Sequence, residues 1–426
     1  PLLRGEQRTT NNVETFLLLS LSKYGTSLDN EQRTKNKRMK YKWVQGESNR
    51  LFIILATGSL ITMTGGLVAP ILPQVINDLN FDRALATHLV SVHSLTLAIF
   101  SPVFGLVADR ISPKRVLVPS LLLYGIFGTM GAFLSNFWLL LTSRALLGAT
   151  AGGIAAGSLG LIGKLYDQET RAQIIAYTTA VLTVTGIIFP LLGGGVGSIH
   201  WRYGFTIYAV GFPLAIMSRY AFPDFQSSPK DKHGVGLSTE LRKALFSPAV
   251  MELLLFVVLT AAIMYAVVIY APLYLEETLG LGTVENGILL AIRALGAALI
   301  SAFASKKMVK RFSIKGAIAL GFGFMGLSLF SIPFFQQFPL LLASALVFGG
   351  GFGLVLPNLY SSLSNIAPKA VRSSILAIAI GTSFFGQFIS PLLFSPILAA
   401  GGLTGVFNTA AVLAVLGGLF LVTIRH

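Results

Sequence analysis

The second apolar stretch of the chain ends in Gly105-Leu-Val-Ala-Asp109-Arg110-Ile-Ser-Pro-Lys114-Arg115. At an offset of 201 residues the chain reads Lys306-Lys-Met-Val-Lys310-Arg311-Phe-Ser-Ile-Lys315-Gly316. The same offset aligns two further pairs of segments, Arg171-Ala-Gln-Ile-Ile-Ala176 with Arg372-Ser-Ser-Ile-Leu-Ala377 and Pro190-Leu-Leu192 with Pro391-Leu-Leu393. One constant offset across separate segments indicates two related halves, an internal symmetry that is typical of secondary transporters.

The composition independently indicates a membrane protein. Hydrophobic residues make up 54% of the chain and charged residues 12%, whereas an average soluble domain carries about twice that charge. The chain contains no cysteine, which excludes disulfides, thiolate metal sites and cysteine nucleophiles. It also has no Walker loop, no Gly-x-Ser-x-Gly and no His-x-x-x-His, so we expect neither an enzyme nor a metal site.

Twelve apolar segments are long enough to cross the roughly 30 Å hydrocarbon core of a bilayer as helices. We place them near 51–73, 85–106, 116–134, 138–163, 172–197, 203–221, 248–275, 286–305, 316–334, 338–362, 373–398 and 403–424. The predicted fold is therefore all-α and integral to the membrane, with two six-helix bundles at 51–221 and 248–426. The polar segment 222–247 is the predicted linker between the bundles.

The distribution of charge predicts the orientation in the membrane. Connections after even-numbered spans carry most of the net charge of +15, in Arg110, Lys114, Arg115, Lys164, Arg171, Lys306, Lys307, Lys310, Arg311, Lys315, Lys369 and Arg372. The other connections carry only Arg83 and Arg202 as basic residues. By the positive-inside rule the basic side and both termini are cytoplasmic, in a multi-pass plasma (inner) membrane protein. The charge therefore indicates topology rather than a nucleic-acid partner.

Residues 1–50 differ from the rest of the chain because they are polar and basic, with ten Lys or Arg and five acidic residues. Their apolar run from Phe16 to Leu21 is too short for a span. Met39, which precedes Lys40 and the first span, would make a natural start for a protein of this kind. We expect a cytoplasmic extension without an ordered fold, of which residues 1–38 need not belong to the working protein.

Three motifs resemble signatures of the major facilitator superfamily. The loop Gly105-x-x-Ala108-Asp109-Arg110-x-x-x-Lys114-Arg115 resembles the family's signature between spans 2 and 3. The segment Arg144-Ala-Leu-Leu-Gly148 resembles the family's intramembrane arginine motif. The segment Gly186-Ile-Ile-Phe-Pro190-Leu-Leu-Gly193-Gly194 resembles the fifth-span motif of its 12-span drug/proton antiporter branch. Ser112, Pro113 and Phe189 depart from these patterns. The resemblance covers about residues 51–424 and implies the major facilitator fold.

The loop signature predicts a conformational latch. A loop with one carboxylate and several cations can make charge-assisted contacts in one conformational state and release them in the other. Asp109 could accept from Arg110, from Arg171 or from the start of span 11, where the helix dipole also favours an anion. The predicted latch residues are Gly105, Asp109, Arg110, Lys114, Arg115, Arg171 and Arg372. Alternatively, these charges only fix topology.

Gating and proton coupling depend on a few residues inside the spans. For Arg144 the resemblance implies a role in gating or proton transfer. Pro190 removes a backbone donor and presses on the carbonyl of Gly186, which predicts a bent, rocking fifth span or simply close packing. No Asp or Glu lies near the middle of a span. His88 and His93 are the remaining candidates for proton coupling, unless they are only interfacial residues.

Arg293 lies about two turns into span 8, with no family motif behind it. If it faces a cavity, it suits an anionic or hydrogen-bond-accepting group of a cargo; otherwise it pairs with carbonyls or reaches outward. Aromatic and polar residues of the spans that line the pathway in the family complete a permissive apolar site. The predicted cargo residues are Arg293, Thr62, Thr64, Tyr265, Tyr270, Asn358, Tyr360, Phe384, Phe385 and Gln387.

Together these features predict a monomeric secondary active transporter that moves a small lipophilic or amphipathic molecule by alternating access. We expect export by proton antiport, with the proton gradient as the energy source and with no cofactor and no metal. The expected partners are the cargo, protons and the lipid bilayer. Two alternatives stay open: an uptake carrier or facilitator for a small metabolite or organic anion, and a non-transporting sensor with a transporter fold.

Overall fold

The computed structural model describes residues 30–225 and 235–423, and these residues form helices and connections only. Eight of the helices are long and apolar enough to cross a membrane. Two of the eight, Thr283–Phe334 and Arg372–Thr423, are 52 residues long, and non-helical backbone at Ser313 and Gly402 divides each into two spans. With two shorter spans at 113–130 and 201–221, the described residues contain the twelve spans that the sequence predicts.

We number the spans α1 to α12 in chain order. They are Ser48–Leu79, Arg83–Arg110, Pro113–Met130, Phe137–Leu165, Gln168–Gly197, 201–221, Pro248–Leu279, 283–312, 314–334, Phe338–Ile366, 372–401 and 403–423. A further helix, Val235–Leu245, lies in the linker between α6 and α7. Most ends fall within about five residues of the predicted ones.

Several spans contain a change of helix type. In α1 the helix Asn30–Gly66 is followed by a 3-10 turn at Ala69–Ile71 and the helix Leu72–Leu79. Shorter pieces also make up three other spans: Arg83–Ala86 and His88–Arg110 in α2, Trp201–Thr206, Ile207–Val210 and Gly211–Ala221 in α6, and Thr283–Leu299 with a π-helical turn at Ile300–Ala304 in α8. The last turn of α9 is the 3-10 helix Ile332–Phe334.

The helix that leads into α1 begins at Asn30, well before the predicted first span. The segment 30–50 holds no proline and a single glycine, Gly46, among many Lys, Arg, Gln and Glu residues, which favour helix. The structure thus describes 30–50 as the start of this helix, and residues 1–29 lie outside the described residues. The expectation of an extension without an ordered fold stays a prediction. By its contacts the chain divides after Leu51 into two units.

Local signals in the sequence explain several span ends. The Asn136 side chain caps α4 by accepting from the amides of Trp138 and Leu139, and Asp167 caps α5 by accepting from the amide of Thr170. Pro113 occupies the first turn of α3, which therefore starts three residues earlier than predicted. Gly280 ends α7 in the left-handed region, at φ 63°.

The connections between spans lie on two faces of the bundle. One face, which we call the linker face, carries the connections at 110–113, 165–168, 221–248, 312–314 and 366–372. The turn face carries the connections at 79–83, 130–137, 197–201, 279–283, 334–338 and 402. The first half of the molecule is residues 52–221, and the second half is residues 248–423.

The internal repeat is visible in the packing of the two halves. In the first half, a Cβ on Gly148 of α4 would overlap the backbone oxygen of His93 in α2, and Gly152 approaches the same helix. In the second half, a Cβ on Gly349 of α10 would overlap the backbone oxygen of Arg293 in α8, and Gly353 again approaches that helix. Both glycine pairs are related by the sequence offset of 201 residues. The two halves thus repeat one helix contact that only glycine permits.

Candidate functional site

The break in α1 leaves a backbone carbonyl without its usual helical donor. The amide of Val68 donates to the oxygen of Gly65 instead of the oxygen of Thr64, four residues back. Pro70, the second residue of the 3-10 turn, has no amide hydrogen to donate. Because a bare carbonyl is costly inside a bilayer, the free oxygen of Thr64 requires a donor from another helix.

Arg144 of α4 provides that donor. Its side chain is 1% exposed, and Nη2 donates to the oxygen of Thr64, while Nε donates to the oxygen of Leu89 in α2 at 3.4 Å. Nη1 donates to the hydroxyl of Tyr208 in α6 at 3.0 Å, and this hydroxyl donates in turn to the oxygen of Thr64 at 2.9 Å. One guanidinium therefore ties α1, α2, α4 and α6 together.

The spacing within the arginine motif has a geometric reason. Arg144 and Gly148 are four residues apart and share a face of α4. Gly148 lets α4 press against α2 at His93, and the resulting short distance brings the guanidinium within reach of Leu89. The gating role predicted for Arg144 stays a prediction, and the structure adds Tyr208 as its partner.

A second polar cluster crosses from the first half to the second at mid-span. The Tyr265 hydroxyl of α7 lies 3.5 Å from Nε2 of His93 in α2, and both side chains approach Gly65 of α1. The Ser94 hydroxyl donates to Oε1 of Gln387 in α11 at 2.9 Å. His93 is 2% exposed, and its Nδ1 has no hydrogen-bond partner. This arrangement brings together three residues predicted for coupling or cargo: His93, Tyr265 and Gln387.

Arg293 lies in α8 near the same cluster. It interacts electrostatically with the Tyr265 hydroxyl, on which Arg144 also acts from the other half. Its side chain is half-buried, and its Nε is shielded from solvent without any hydrogen-bond partner. Both deeply placed arginines thus act electrostatically on Tyr265, and among the described residues only Arg144 is held by carbonyls.

The other predicted cargo residues divide by burial. Thr62 is half-buried and bonds the Thr185 hydroxyl of α5 at 2.9 Å. Thr64, Tyr270 and Asn358 are buried: Thr64 bonds the Tyr124 hydroxyl, Tyr270 packs edge-on against Phe394, and Asn358 donates to the oxygen of Leu354. In this conformation these three side chains face packed helices, and a role in cargo binding stays a prediction. Tyr360 and Phe384 are half-buried, and Phe385 is exposed.

Close contacts join the two halves near the turn face. The Thr283 hydroxyl of α8 donates to the oxygen of Gly194 in α5 at 2.9 Å, and a Cβ on Gly194 would overlap the backbone of Thr283. Gly287 of α8 lies against the backbone of Pro190 in the same way. The Asn286 amide donates to the oxygen of Pro70 in α1 at 3.1 Å. Sequence reasoning missed Thr283 and Asn286. For Thr283 the glycine-rich segment of α5 is a signal that another helix packs closely there, whereas the Asn286 contact has no such signal.

Two further contacts lie at the rim of the turn face. The Asn77 amide donates to Oε1 of Glu276 at 2.7 Å, and Arg83 pairs with Glu277 at 2.5 Å. On the linker face, by contrast, α5 is largely exposed along 169–188. The described residues thus show a molecule whose halves meet at the turn face while α5 is uncovered toward the linker face.

The predicted latch residues lie apart in this conformation. Asp109 is exposed and makes no hydrogen bond or ion pair within the described part of the chain. Lys114 and Arg115 approach Asp224 at 3.9 and 4.0 Å, and Arg171 donates to the oxygen of Gly163 at 2.6 Å. The remaining members are Arg110, which is exposed, Arg372, whose Nε has no partner, and Gly105, which no neighbour approaches within 4 Å. The latch stays a prediction that concerns another state.

The remaining gating candidates lie on α5 and α2. Pro190 is buried against Gly287, as described above, whereas Gly186 meets no neighbour within 4 Å of a Cβ position. His88 is half-buried at the start of α2, one and a half turns from His93. The cluster at mid-span therefore contains His93 and not His88.

The sequence matches one family along most of its length. The profile of the Major Facilitator Superfamily matches residues 54–391, and a second match covers 284–426. Two curated relatives illustrate the similarity. Quinolone resistance protein NorA of Staphylococcus aureus is 26% identical over 87% of this chain and 94% of its own. Multidrug resistance protein 1 of Bacillus subtilis is 25% identical over 63% of this chain and 68% of its own.

Solved structures of transporters share the fold. A bacterial homologue of the human lysosomal transporter Spinster, in an inward-facing and unoccupied conformation, superposes with a TM-score of 0.73 at 17% identity. The match covers 88% of this chain and 95% of that chain. The D-xylose-proton symporter superposes with a TM-score of 0.69 at 18% identity, over 88% of this chain and 98% of that one.

Proposed function

Because the chain belongs to the Major Facilitator Superfamily, we propose that it exports small lipophilic or amphipathic molecules by proton antiport. The observation that carries this proposal is the similarity to NorA, which extends over 94% of that protein. The fifth-span segment from Gly186 to Gly194 supports export because it resembles the motif of the drug/proton antiporter branch, and its Pro190 and Gly194 contact α8. The protein is thus an integral membrane transporter, and the proposal adds the direction and the class of cargo.

The contacts between the halves support transport by alternating access. With the basic linker face in the cytoplasm, the structure is closed toward the outside at Gly194–Thr283 and Asn77–Glu276. Opening the outside requires these contacts to break while the halves meet at the linker face. The mid-span cluster of His93, Tyr265 and Gln387 lies between the two ends and becomes accessible from each side in turn.

The energy source in this proposal is the proton gradient, with no cofactor and with the protein acting as a monomer. His93 is the titratable group at the cluster, and Tyr265, Ser94 and Arg144 are its polar neighbours. A histidine can exchange a proton near neutral pH as the two halves alternate.

The experiment that tests the function is proton movement in proteoliposomes with an imposed pH gradient. The purified chain is challenged with lipophilic cations, neutral drugs and organic anions, and internal pH is followed with a dye. Export by antiport predicts proton flux that one cargo class triggers and that runs against the cargo. Cargo and proton moving together would instead favour uptake, and absence of flux with every class in folded protein would favour a sensor.

We expect Asp109→Asn to lower the initial rate of transport about tenfold, because the variant lacks the anion that the latch would engage in the outward-open state. The amount of protein in the membrane should stay the same, since Asp109 bonds none of the described residues in this conformation. The rate and an immunoblot are measured together.

Asp167→Asn is the matched control on the same face. Hydrogen bonds from Thr170 lower the pKa of the Asp167 carboxyl, so Asp167 is ionised during the assay. Asn caps a helix about as well as Asp, so transport should be unchanged. Equal rates for Asp109→Asn and the unmodified protein would contradict the latch.

A further inference from the structure

The middle of the molecule carries positive charge without a matching acid. Arg144 and Arg293 are the charged residues deep within the described spans, whereas every described Asp and Glu lies near a span end or in a connection. Arg144 is held by two carbonyls and a hydroxyl. Among the described residues Arg293 has no such partner, and its shielded Nε makes no hydrogen bond to any of them. A guanidinium in this position is expected to be compensated by an acceptor that comes from elsewhere.

The position of Arg293 on α8 shows where that acceptor would lie. Asn286 bonds the oxygen of Pro70 and therefore faces α1 of the first half. Arg293 follows Asn286 by seven residues, nearly two turns, and so shares its face about 10 Å deeper in the membrane. This depth is about 15 Å from the start of α8, half of the hydrocarbon thickness. Arg293 thus faces the space between the halves at mid-membrane.

The surroundings of Arg293 add one polar group and much apolar surface. Tyr265 interacts electrostatically with Arg293 and contributes a hydroxyl that can donate to an anion. One turn further along α8, Ala294, Leu295 and Ala298 are apolar and half-buried, whereas Gly296 and Ala297 pack against α10. Such a site matches an apolar body that ends in one flat anion, because the guanidinium fork fits a carboxylate with two parallel hydrogen bonds.

We propose that Arg293 binds the carboxylate of an amphipathic organic cargo between the two halves, with the Tyr265 hydroxyl as a second donor to that carboxylate. This inference rests on the proposed transport function and names its preferred cargo as monoanionic. This preference distinguishes the chain from a carrier of lipophilic cations. Such a carrier would need an Asp or Glu near mid-membrane, and the described spans have no acid there.

The test is a binding measurement on the full chain in detergent, with three probes of the same shape: 2-naphthoate, its neutral amide 2-naphthamide, and 2-naphthylmethylammonium. For the unmodified protein we expect 2-naphthoate to bind about tenfold tighter than 2-naphthamide, and the ammonium weakest. Equal affinities for the acid and the amide would overturn the proposal. The measurement needs no gradient, so it is independent of export. If the protein prefers the carboxylate but shows no proton flux with any cargo, the binding site is supported and the proposed transport function is refuted.

Substitutions then assign the preference to Arg293. Arg293→Gln should abolish the difference between acid and amide while leaving the amide affinity unchanged, and the amide thereby reports that the site is folded. Tyr265→Phe keeps the ring and should reduce the preference severalfold. Arg219→Gln is the matched control, because it removes the same charge from an exposed position at the end of α6. A preference that survives Arg293→Gln would overturn the assignment.

An anionic lipid headgroup could also bind a guanidinium, and a competition experiment distinguishes such a lipid from a cargo. Binding of 2-naphthoate is repeated with added phosphatidylglycerol and, in parallel, with phosphatidylcholine. We expect neither lipid to displace the probe, since Arg293 lies at mid-membrane rather than at headgroup depth. Displacement by phosphatidylglycerol alone would assign the site to a lipid and overturn the proposal of a soluble cargo.

Discussion

Arg144→Ala is expected to lower the rate of transport by about two orders of magnitude or more. The variant loses hydrogen bonds from a charged donor to the oxygens of Thr64 and Leu89 and to the hydroxyl of Tyr208. Each such bond contributes roughly 1.5–3 kcal/mol, and about 1.4 kcal/mol corresponds to a tenfold change in rate. The carbonyl exposed by the break in α1 would keep only Tyr208 as a donor, so α1 loses its fixed position against α4.

The measurement compares initial transport rates and melting temperatures of the purified variants. Arg202→Ala is the matched control, because Arg202 also donates to a carbonyl, that of Ala132, but at the turn face. We expect Arg202→Ala to retain most of the activity. Arg144→Lys should recover little, since an ammonium group does not reproduce the guanidinium fork that reaches three acceptors. Normal transport by Arg144→Ala would show that the network around Thr64 has no role in the cycle.

Gly194→Ala is expected to lower transport about tenfold or more by preventing closure of the turn face. The added Cβ would overlap the backbone oxygen of Thr283, and neither α5 nor α8 has a flexible side chain there that could move aside. Overpacking of this kind costs about 1–3 kcal/mol, which shifts a two-state equilibrium by roughly one to two orders of magnitude. The state with separated turn-face ends does not contain the contact, so the variant should fold.

Distances between spin labels at Leu85→Cys and Val284→Cys report this shift. Both positions are exposed at the turn face, one in each half, and the chain has no native cysteine that would compete for label. Gly194→Ala should move the distance distribution to longer values. Gly195→Ala is the neighbouring control, because a Cβ on Gly195 meets no atom within 4 Å. A distribution for Gly194→Ala that matches Gly195→Ala would refute the steric account.

Patterns that extend over many residues were predictable from the sequence. Hydrophobic length determines where a helix crosses a bilayer, so all twelve spans were located and their ends differ by a few residues. The offset of 201 residues also predicted the two halves, and it reappears in the structure as the contact of Gly148 with α2 and of Gly349 with α8. Family membership followed from the motifs that include Asp109, Arg144 and Pro190.

Partners of individual side chains were less predictable, because they depend on backbone detail. The tie between Arg144 and Thr64 exists because the Thr64 oxygen loses its helical donor at the break in α1. Pro70 and Pro73 in the sequence signal such a break, but not which side chain fills it. Similarly, Thr64 was predicted to bind cargo, which stays a prediction, but the acceptor role of its backbone oxygen toward Arg144 could not be predicted from its side chain. The contact of Asn286 with Pro70 needs two spans from different halves and has no local signature.

The uncovered length of α5 toward the linker face also determines where an inhibitor of this protein would have to act. A rigid molecule lodged between α5 and α8 on that side would keep the halves apart there and hold the turn face shut. It would block turnover without competing with cargo for Arg293, so raising the cargo concentration would not relieve the inhibition. With the linker face in the cytoplasm, such a compound must itself enter the cell, and its potency in living cells would depend on its permeability as much as on its affinity.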